Sequence, residues 1–571
     1  MSDTTVIGID LGTTNSCVAI WQEGDIIIVP NKCKENTTPS CVGFNHDGVF
    51  VGNSAIAQQT KNPKNTIYEA KRVIGQKYDT VQKDTKFWPF SLVNRNEKPM
   101  YQVNIGNDVN LMHPEEISAI VLRNLKESAE MYIKREVKDA VITVPAYFND
   151  AKREATKSAG RIAGLNVLNV LSEPVAAALA FGRLIKGDEE QNVLVYDLGG
   201  GTFDTAIVSI TPFGMHHVRS TNGNTRLGGA KFVDVLMRLC IKKLIEMIGK
   251  MTIGIEQMVI IRAACEEAKI KLSTDEETII TIGDQKIPIK RTEYEQLIEP
   301  MVEKTMQCVK NAVDDADMEV EDINHIVLVG GGTYTPLIRK QLRSFFNKEG
   351  NTKINPMEAV AYGACIQAAA LTGKKDAPPI YTRNVTPLTI GMIGANKEFP
   401  CQPLVKRNSA LPTSKNIIGK TIKNNQRNAK IMIFEGEQRK MIGNQLLGSV
   451  TLKGLAESPK GQGIIEIFLQ IDEAGEIMVT ATDKKSKNQV MLNINRVEGF
   501  TENEISEMTS KLAQLKEIEI DDHKNSVVMS LTSKNKRMKM EEEYEDDEED
   551  ICPIYGHAQI DDISTVISLD D

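Results

Sequence analysis

Two aspartates flank three consecutive glycines in the segment VYDLGGGTFD, residues 195–204. Glycine reaches backbone angles that other residues avoid, and it lets a ligand approach the main chain closely. A glycine turn after a buried strand presents backbone N–H groups to an anion. The carboxylates of Asp197 and Asp204 can lie beside an anion when a cation stands between them. The combination indicates phosphate plus a divalent metal ion, although one such segment alone could also be a purely structural turn.

The same pattern occurs a second time, near the start of the chain. In both IGIDLGTTNSCVAI (residues 7–20) and LVYDLGGGTFDTAIV (residues 194–208), an apolar strand ends in Asp-Leu-Gly and a threonine-bearing turn follows. Asp10 and Asp197 occupy equivalent positions in the two segments. Internal repetition of this kind predicts two similar lobes around one site.

Length and composition exclude several classes of protein. The chain has 571 residues, which is too many for one hydrophobic core, so about three domains are expected. It has no apolar run long enough to cross a bilayer, and its first residues lead directly into a strand, so we expect neither membrane association nor a signal peptide. The nine cysteines form no C-x-x-C pair, which is typical of a reducing compartment. We therefore expect a cytoplasmic protein, with the nucleus as a further candidate location.

The net charge of −9 is concentrated at one end of the sequence. Residues 541–571 contain 13 acidic and no basic side chains, so residues 1–540 keep 68 basic and 64 acidic side chains, a net charge of +4. Because acidic and basic side chains are nearly equal in number over residues 1–540, we expect no basic stripe and no nucleic-acid partner. The acidic tail is expected to be disordered.

The elements that would position the glycine turns are of two kinds. Up to residue 372, short runs rich in Val and Ile alternate with longer amphipathic segments, which predicts sheets covered by helices. The polar segment at residues 373–384 is typical of a linker. Short strand-like runs then predict an antiparallel sandwich. A helix is predicted after Thr501, because Thr501 and Glu504 form a capping box before apolar residues at helical spacing.

The sequence resembles the seventy-kilodalton heat-shock chaperone family, and especially its cytosolic heat-shock cognates, over residues 4–501. The segments that carry the resemblance are IDLGTTNSCV, VPAYFND, AGLNVLNVLSEPVAAALAFG, DLGGGTFD, IVLVGGGT and INPMEAVAYGA. The resemblance implies an α/β actin-like two-lobed ATPase, a linker, an antiparallel β-sandwich that binds extended peptides, and a helical lid over the sandwich, here shortened. The implied domains are residues 1–375 (ATPase), 376–386 (linker), 387–500 (sandwich), 501–540 (lid remnant) and 541–571 (acidic tail).

The same resemblance implies a site for ATP or ADP with Mg²⁺, and K⁺ is a further candidate ion. Asp10 and Asp197 would orient water bound to the metal, Glu173 would support the metal shell, and Lys71 would position the attacking water. Phosphoryl transfer needs little beyond such positioning and electrostatic stabilisation. The implied catalytic residues are Asp10, Lys71, Glu173, Asp197 and Thr202. The implied nucleotide-binding residues are Gly12, Thr13, Thr14, Asn15, Gly199, Gly200, Gly201, Gly229, Glu266, Lys269, Ser273, Gly330, Gly331, Gly332 and Tyr334. Taken alone, Lys71 would be a surface lysine and Glu173 an acid at a helix start.

The sequence departs from the family at several functional positions. Ile270 and Tyr334 stand where the family sandwiches adenine between two arginines, so weaker adenine selectivity is expected; loss of cation–π stacking costs about 0.5–2 kcal/mol per site. Asn169 and Ser172 replace residues that the family uses to engage J-domain partners. The linker gains Arg383 and lacks the family's acids and leucines, so we expect it to dock poorly on the ATPase domain.

The largest expected loss relative to the family is of peptide affinity, in the client pocket. Gly419 and Ala429 stand where the family has a phenylalanine and a valine, and losing an aromatic wall forfeits roughly 1.5–3 kcal/mol. The alternative is that Ile417, Ile418 and Ile422 repack into the space and restore an apolar groove. The implied peptide-binding residues are Met392, Ala395, Gly419, Ile422 and Ala429.

Two functions from different classes follow from these observations. The first is an ATP-dependent chaperone for unfolded or extended polypeptides, with nucleotide-exchange factors and J-domain co-chaperones as implied partners, the J-domain coupling being expected to be weak. The second is a nucleotide-binding but weakly coupled relative that acts as a regulator or holdase with impaired client binding. A metabolite kinase on the same ATPase fold is disfavoured, because such kinases have no use for a peptide-binding sandwich. Stimulation of ATP turnover by unfolded peptide separates the first two.

Overall fold

The computed structural model describes residues 5–82, 88–249, 253–394, 400–473, 475–494 and 499–518. The acidic tail predicted at residues 541–571, the later part of the lid remnant and Ala395 lie outside the described residues. No helix in the described part of the chain combines the length and apolar character needed to cross a bilayer.

Residues 5–182 form a mixed α/β unit, called here the first unit. Its elements are β1 (Thr5–Asp10), β2 (Asn15–Gln22), β3 (Asp25–Ile28), β4 (Thr38–Pro39), β5 (Cys41–Phe44), β6 (Val49–Val51), α1 (Asn53–Gln58), β7 (Thr66–Tyr68), α2 (Tyr78–Val81), β8 (Ser91–Arg95), β9 (Lys98–Ile105), β10 (Asp108–Met112), α3 (Pro114–Ile133), β11 (Val137–Val144), α4 (Asp150–Ile162), β12 (Asn166–Ser172) and α5 (Glu173–Gly182). The main sheet has the order β12-β11-β1-β2-β3, with β1 parallel to β11 and antiparallel to β2. β1 is buried along most of its length, which explains its continuous apolar run.

Residues 191–371 form the second unit, which repeats this arrangement. Its elements are β13 (Gln191–Leu198), β14 (Phe203–Ile210), β15 (Met215–Asn224), α6 (Gly229–Ile248), α7 (Ile255–Lys271), β16 (Glu277–Ile282), β17 (Gln285–Lys290), α8 (Arg291–Asp315), β18 (His325–Val329), α9 (Pro336–Phe346) and α10 (Ala359–Leu371). β13 is antiparallel to β14 and parallel to β18, as β1 is to β2 and β11. The repetition seen in the sequence is therefore present in the topology, and the mixed α/β class is confirmed.

The linker docks on the second unit, so the expectation of poor docking was wrong. Its strand β19 (Tyr381–Arg383) pairs in parallel with the start of β15 and extends the sheet to β18-β13-β14-β15-β19. Strand pairing uses backbone N–H and C=O groups, which do not depend on acidic or leucine side chains. The side chains of Tyr381 and Arg383 are exposed, and the substitutions in the linker therefore leave the backbone pairing intact.

Residues 390–394, 400–473 and 475–494 form the third unit, in which the secondary-structure elements described are all β-strands. Its strands are β20 (Ile390–Ile393), β21 (Cys401–Val405), β22 (Thr413–Lys420), β23 (Asn428–Glu435), β24 (Gln445–Lys453), β25 (Ile464–Ile471), β26 (Ile477–Asp483) and β27 (Gln489–Ile494). They form two antiparallel four-stranded sheets, β21-β20-β23-β24 and β22-β25-β26-β27. One apolar cluster, with Ile433 from one sheet and Val479 from the other, lies between them.

The final described helix, α11 (Glu502–Gln514), begins with the predicted capping box of Thr501 and Glu504. It lies on the first unit, whereas the resemblance implied a lid over the β-sandwich. Ile505 and Leu512 enter the core of the first unit, and Lys511 pairs with Glu116 of α3 at 3.0 Å. The apolar stripe of α11 therefore packs against the first unit. The chain then extends along β6, where the Ile518 N–H donates to the carbonyl of Val49 at 2.8 Å.

Candidate functional site

The two glycine-bearing turns meet across a cleft between the first and second units. A Cβ on Gly200 would lie 1.9 Å from Oγ1 of Thr14, and a Cβ on Gly201 would lie 2.6 Å from Oγ1 of Thr13. Side chains in the first turn thus occupy the space that side chains in the second turn would need. The structure brings these four residues together, and only glycine permits the contact.

Each turn is also closed by a hydrogen bond from the N–H of its first glycine. In the first turn, the Gly12 N–H donates to Oγ of Ser16 at 3.2 Å, and a Cβ on Gly12 would lie 1.9 Å from the carbonyl oxygen of Asn15. In the second turn, the Gly199 N–H donates to the carbonyl of Thr202 at 3.1 Å. The turns are therefore compact loops in which the N–H groups of Gly12 and Gly199 are already engaged.

The start of α6 and the end of α7 border the second turn. The Gly229 N–H donates to the carbonyl of Gly199 at 2.9 Å, and a Cβ on Gly229 would lie 3.4 Å from Nζ of Lys269. Lys269 pairs with Glu266 at 2.7 Å, and its carbonyl accepts a 3.4 Å hydrogen bond from Ser273. These predicted nucleotide-binding residues thus lie beside the glycines of the second turn.

A third glycine turn packs against the end of β13. Gly330 has φ of +77°, and a Cβ there would lie 2.4 Å from the carbonyl oxygen of Leu198 and 2.9 Å from Oδ1 of Asp197. A Cβ on Gly332 would meet the Leu198 side chain at 2.6 Å, and one on Gly331 would lie 3.0 Å from Sδ of Met357. The glycines at 330–332 therefore allow close packing beside Asp197.

The two positions that replace the family's arginines are both accessible. Tyr334 is 38% exposed, and its hydroxyl donates to Oδ1 of Asn355 at 3.3 Å. The guanidinium of Arg339 lies 5.5 Å from the centroid of the Tyr334 ring. Ile270 is 61% exposed at the end of α7. Tyr334 is therefore held by two contacts, while Ile270 offers an apolar surface.

Lys71 is held at the site by a buried ion pair. It lies in the short 3₁₀ turn Ala70–Arg72, and its ammonium donates to Oε1 of Glu173 at 2.5 Å. Glu173 is the first residue of α5, with Pro174 fixing the first helical turn. Both side chains are buried. The pair therefore fixes the direction in which the ammonium points, and Lys71 is not a surface lysine.

Three further carboxyl groups lie around this pair: those of Asp197 and Asp204 are buried, and that of Asp10 is half-buried. Burial, followed by the charge of Glu173, raises the pKa of Asp10 and of Asp204 to about 7, and the same causes raise the pKa of Asp197 well above its usual value. Oγ1 of Thr143 donates to Oδ1 of Asp10 at 3.4 Å. Buried carboxylates this close together favour a cation beside them.

The donor set fits a hydrated Mg²⁺. Carboxylate oxygens are the ligands that Mg²⁺ accepts, and this ion usually keeps several waters while it bridges protein and phosphate. Within the described ranges, no three acidic, histidine or cysteine side chains are arranged to hold one ion by themselves. That Asp10 and Asp197 act on the metal through water stays a prediction.

A cavity of about 250 Å³ opens beside Lys71. Its lining is rich in cationic and hydroxyl side chains: Thr13, Lys71, Arg72, Gln76, Phe148, Lys152, Thr202, Thr225 and Arg226. Four cations in one small cavity suit a polyphosphate, because hydrogen bonds between charged groups are stronger than neutral ones.

Sequence reasoning missed several residues of this site. Asp204 was noted beside the glycines but was given no role, whereas Arg72, which directly follows Lys71, was missed. Thr143 carries no such signal, because it reaches Asp10 only through the parallel pairing of β11 with β1. Lys152 and Arg226 likewise reach the cavity through the fold.

The predicted client residues lie on the third unit. Met392 and Ala429 are half-buried against its core, and Ile422 is exposed. Gly419 lies on β22 between Ile418 and Lys420, and side chains alternate along a strand. Ile418 is 60% exposed on the face opposite Gly419, so it cannot repack into the space beside Gly419.

A protein-family model described as "Hsp70 protein" matches residues 6–567 of the chain. The match covers nearly the whole sequence, including both glycine turns, the linker, the third unit and α11.

Proposed function

The chain belongs to the Hsp70 family, and on that premise we propose that it is an ATP-dependent molecular chaperone. It binds and hydrolyses Mg·ATP in the cleft between the first two units, and it couples hydrolysis to the binding of unfolded or extended polypeptide by the third unit. The observation that carries this proposal is the meeting of two glycine turns beside a cavity lined by four cations.

The phosphates are held by the residues of the two turns. Backbone N–H groups of Thr13, Thr14, Gly200 and Gly201 face the oxygens in this proposal, since those of Gly12 and Gly199 already donate within their own turns. The cavity cations, including Lys71 and Arg72, neutralise the phosphate charge. Asp10 and Asp197 would hold a hydrated Mg²⁺, which would supply charge neutralisation at the phosphates.

Lys71 carries the hydrolytic step in this proposal. Its ammonium positions the attacking water and stabilises charge that develops in the transition state, where its interaction is strongest. Glu173 holds the ammonium by the 2.5 Å contact, so it acts as a positioning residue for Lys71. Thr202 lines the same cavity and accepts or donates at the phosphate end.

The base lies between Tyr334 and Ile270 in this proposal. The Tyr334 ring, backed by Arg339, stacks on adenine, while Ile270 gives apolar contact only. Selectivity for adenine over guanine is weaker than two arginines would give.

Coupling to the third unit uses contacts already formed between units. Arg407 pairs with Asp315 of α8 at 2.9 Å, and Asn408 accepts from the Thr221 N–H of β15 at 2.9 Å. The docked linker adds to this interface, which removes one of the two grounds for expecting weak J-domain coupling. Partners in this proposal are polypeptide clients, nucleotide-exchange factors and J-domain proteins, and the location is the cytoplasm.

The test is steady-state ATP turnover by the full chain with and without a reduced, alkylated unfolded protein. We expect stimulation of several-fold that requires Mg²⁺. Asp315→Arg should abolish the stimulation while basal turnover persists, because it places like charges at the interface. The charge-swapped pair Asp315→Arg with Arg407→Asp should restore it.

The same experiment separates the proposal from a weakly coupled regulator or holdase. Basal turnover without any stimulation by unfolded protein would favour that alternative. Absence of Mg-dependent turnover in the wild type would contradict the proposed ATPase altogether.

A further inference from the structure

Arg262 joins the second unit to the first across the cleft. From α7, its Nη2 lies 3.1 Å from Oε1 of Glu69 in the first unit, and its Nη1 lies 2.9 Å from Oδ1 of Asp234 on α6. Its guanidinium also lies 5.7 Å from the centroid of the Tyr68 ring. The Arg262 side chain is 19% exposed, so this is a largely buried contact and not a surface ion pair.

Glu69 is held in an unusual backbone conformation. Its φ is +57°, in the left-handed region that non-glycine residues seldom adopt, and its side chain is buried. A strained residue persists only when its surroundings hold it there. Two arginines do so: Arg262 at Oε1, and Arg72 whose Nε lies 2.9 Å from Oε2.

This strained residue controls the start of the turn that carries Lys71. Glu69 is the N-terminal boundary of the 3₁₀ turn Ala70–Arg72. Among the described residues, Arg72 and Lys71 line the phosphate-facing cavity and Arg262 does not. Arg262 therefore acts on the cavity through Glu69 and not by direct contact.

The surface that receives Arg262 is rigid. Tyr68 packs edge-on against Phe90 at 5.1 Å and against Trp88 at 6.4 Å between ring centroids. A cation fixed over an aromatic ring and between two carboxylates gains more than any one of these contacts provides. Removing Arg262 would leave the buried carboxylate of Glu69 with only Arg72 to balance it.

We propose that Arg262, Glu69 and Asp234 form a cross-cleft clasp that closes the first two units over bound nucleotide and positions the turn carrying Lys71. The proposal rests on the proposed function in placing nucleotide in this cleft. A nucleotide that leaves between the units requires the clasp to open, so the clasp slows release. Arg262 is thus a positioning residue for hydrolysis and a determinant of the lifetime of the bound state.

The experiment measures release of N-methylanthraniloyl-ADP, displaced by excess ATP in a stopped-flow instrument. Arg262→Ala should release it at least tenfold faster than wild type. Arg262→Lys keeps the charge but cannot reach both carboxylates, and it should restore part of the slow release. Arg343→Ala is the matched control, because Arg343 pairs with Glu349 at an exposed site; its release rate should stay within twofold of wild type.

A second readout separates the clasp from general destabilisation and from failure of the proposed function. Hydrogen exchange at residues 66–73 in the nucleotide-free chain should rise in Arg262→Ala, with exchange in the third unit unchanged. If the wild type binds no nucleotide, the proposed function fails and this exchange measurement alone decides the clasp. Wild-type release together with wild-type exchange in Arg262→Ala would overturn the proposal, as would a loss of protection throughout the chain.

Discussion

At the residue scale, the site depends on glycines at which any side chain would collide. The two glycine turns approach so closely that the absent Cβ atoms of Gly200 and Gly201 would overlap Thr14 and Thr13. The same turns contain a glycine with free space around it, since a Cβ on Gly199 would meet nothing nearer than 3.7 Å. Close packing therefore requires glycine at Gly200 and Gly201, whereas a Cβ would fit at Gly199.

Substituting these neighbours should separate close approach from general flexibility. Gly200→Ala should reduce Mg·ATP affinity by at least tenfold, because a Cβ placed 1.9 Å from Oγ1 of Thr14 would force the two turns apart. Gly199→Ala should cost distinctly less. Isothermal titration calorimetry with both variants measures the difference, and equal losses would contradict this reading of the contact.

At the element scale, the sequence predicted local features well and long-range placement poorly. The capping box at Thr501 and Glu504, the repeated strand-turn-strand segments and the antiparallel runs are all set by neighbouring residues, and the structure contains them. The placement of α11 on the first unit depends on Lys511 and Glu116, which are far apart in sequence. The linker's docking was missed for a different reason, since its pairing is made by backbone groups whatever its side chains.

The docking of α11 should weaken at acidic pH. His113 precedes α3, and its ring packs against Phe500, just before α11, at 5.0 Å. Burial lowers the pKa of His113 from the usual 6.5; Glu116 and Glu504 oppose this shift, while Lys98 and Lys511 add to it. A histidine with a lowered pKa binds fewer protons when docked than when undocked. The contribution of His113 to docking is therefore complete above the usual pKa and declines as pH falls through the lowered pKa.

Hydrogen exchange at residues 502–514, corrected for intrinsic rates, tests this pH dependence. We expect less protection at pH 5.5 than at pH 7.5 in the wild type. His113→Gln should remove most of the difference, because it deletes the titrating group. Equal protection of the wild type at the two pH values would be inconsistent with His113 as the cause.

At the scale of the whole molecule, three units and α11 form one connected assembly. The linker strand extends the sheet of the second unit, Arg407 ties the third unit to α8, and α11 packs on the first unit. Because every one of these contacts is remote in sequence, the placement of the units relative to one another could not be predicted. Client binding must therefore be judged on a third unit that is already docked.

The third unit should bind short apolar peptides weakly. We expect its affinity to be about thirty- to a thousandfold lower than that of a pocket with an aromatic wall. Gly419 contributes no side chain, and a Cβ there would meet nothing nearer than 3.7 Å, so the position has room for one. Gly419→Phe should therefore increase affinity for a leucine-rich heptapeptide in fluorescence anisotropy. Ile418→Phe is the matched control, since it adds the same ring on the opposite face and should leave affinity unchanged. Low-micromolar binding by the wild type would show that the pocket is already complete.

The central claim, that Lys71 held by Glu173 drives hydrolysis of Mg·ATP in this cleft, is tested most directly by single-turnover hydrolysis of γ-labelled ATP. Lys71→Ala should lower the rate at least a hundredfold and change Mg·ATP affinity only a few-fold, because its ammonium acts mainly in the transition state. Lys138→Ala, at an exposed site paired with Glu136, should hydrolyse at the wild-type rate. A Lys71→Ala variant that also hydrolyses ATP at the wild-type rate would contradict the account.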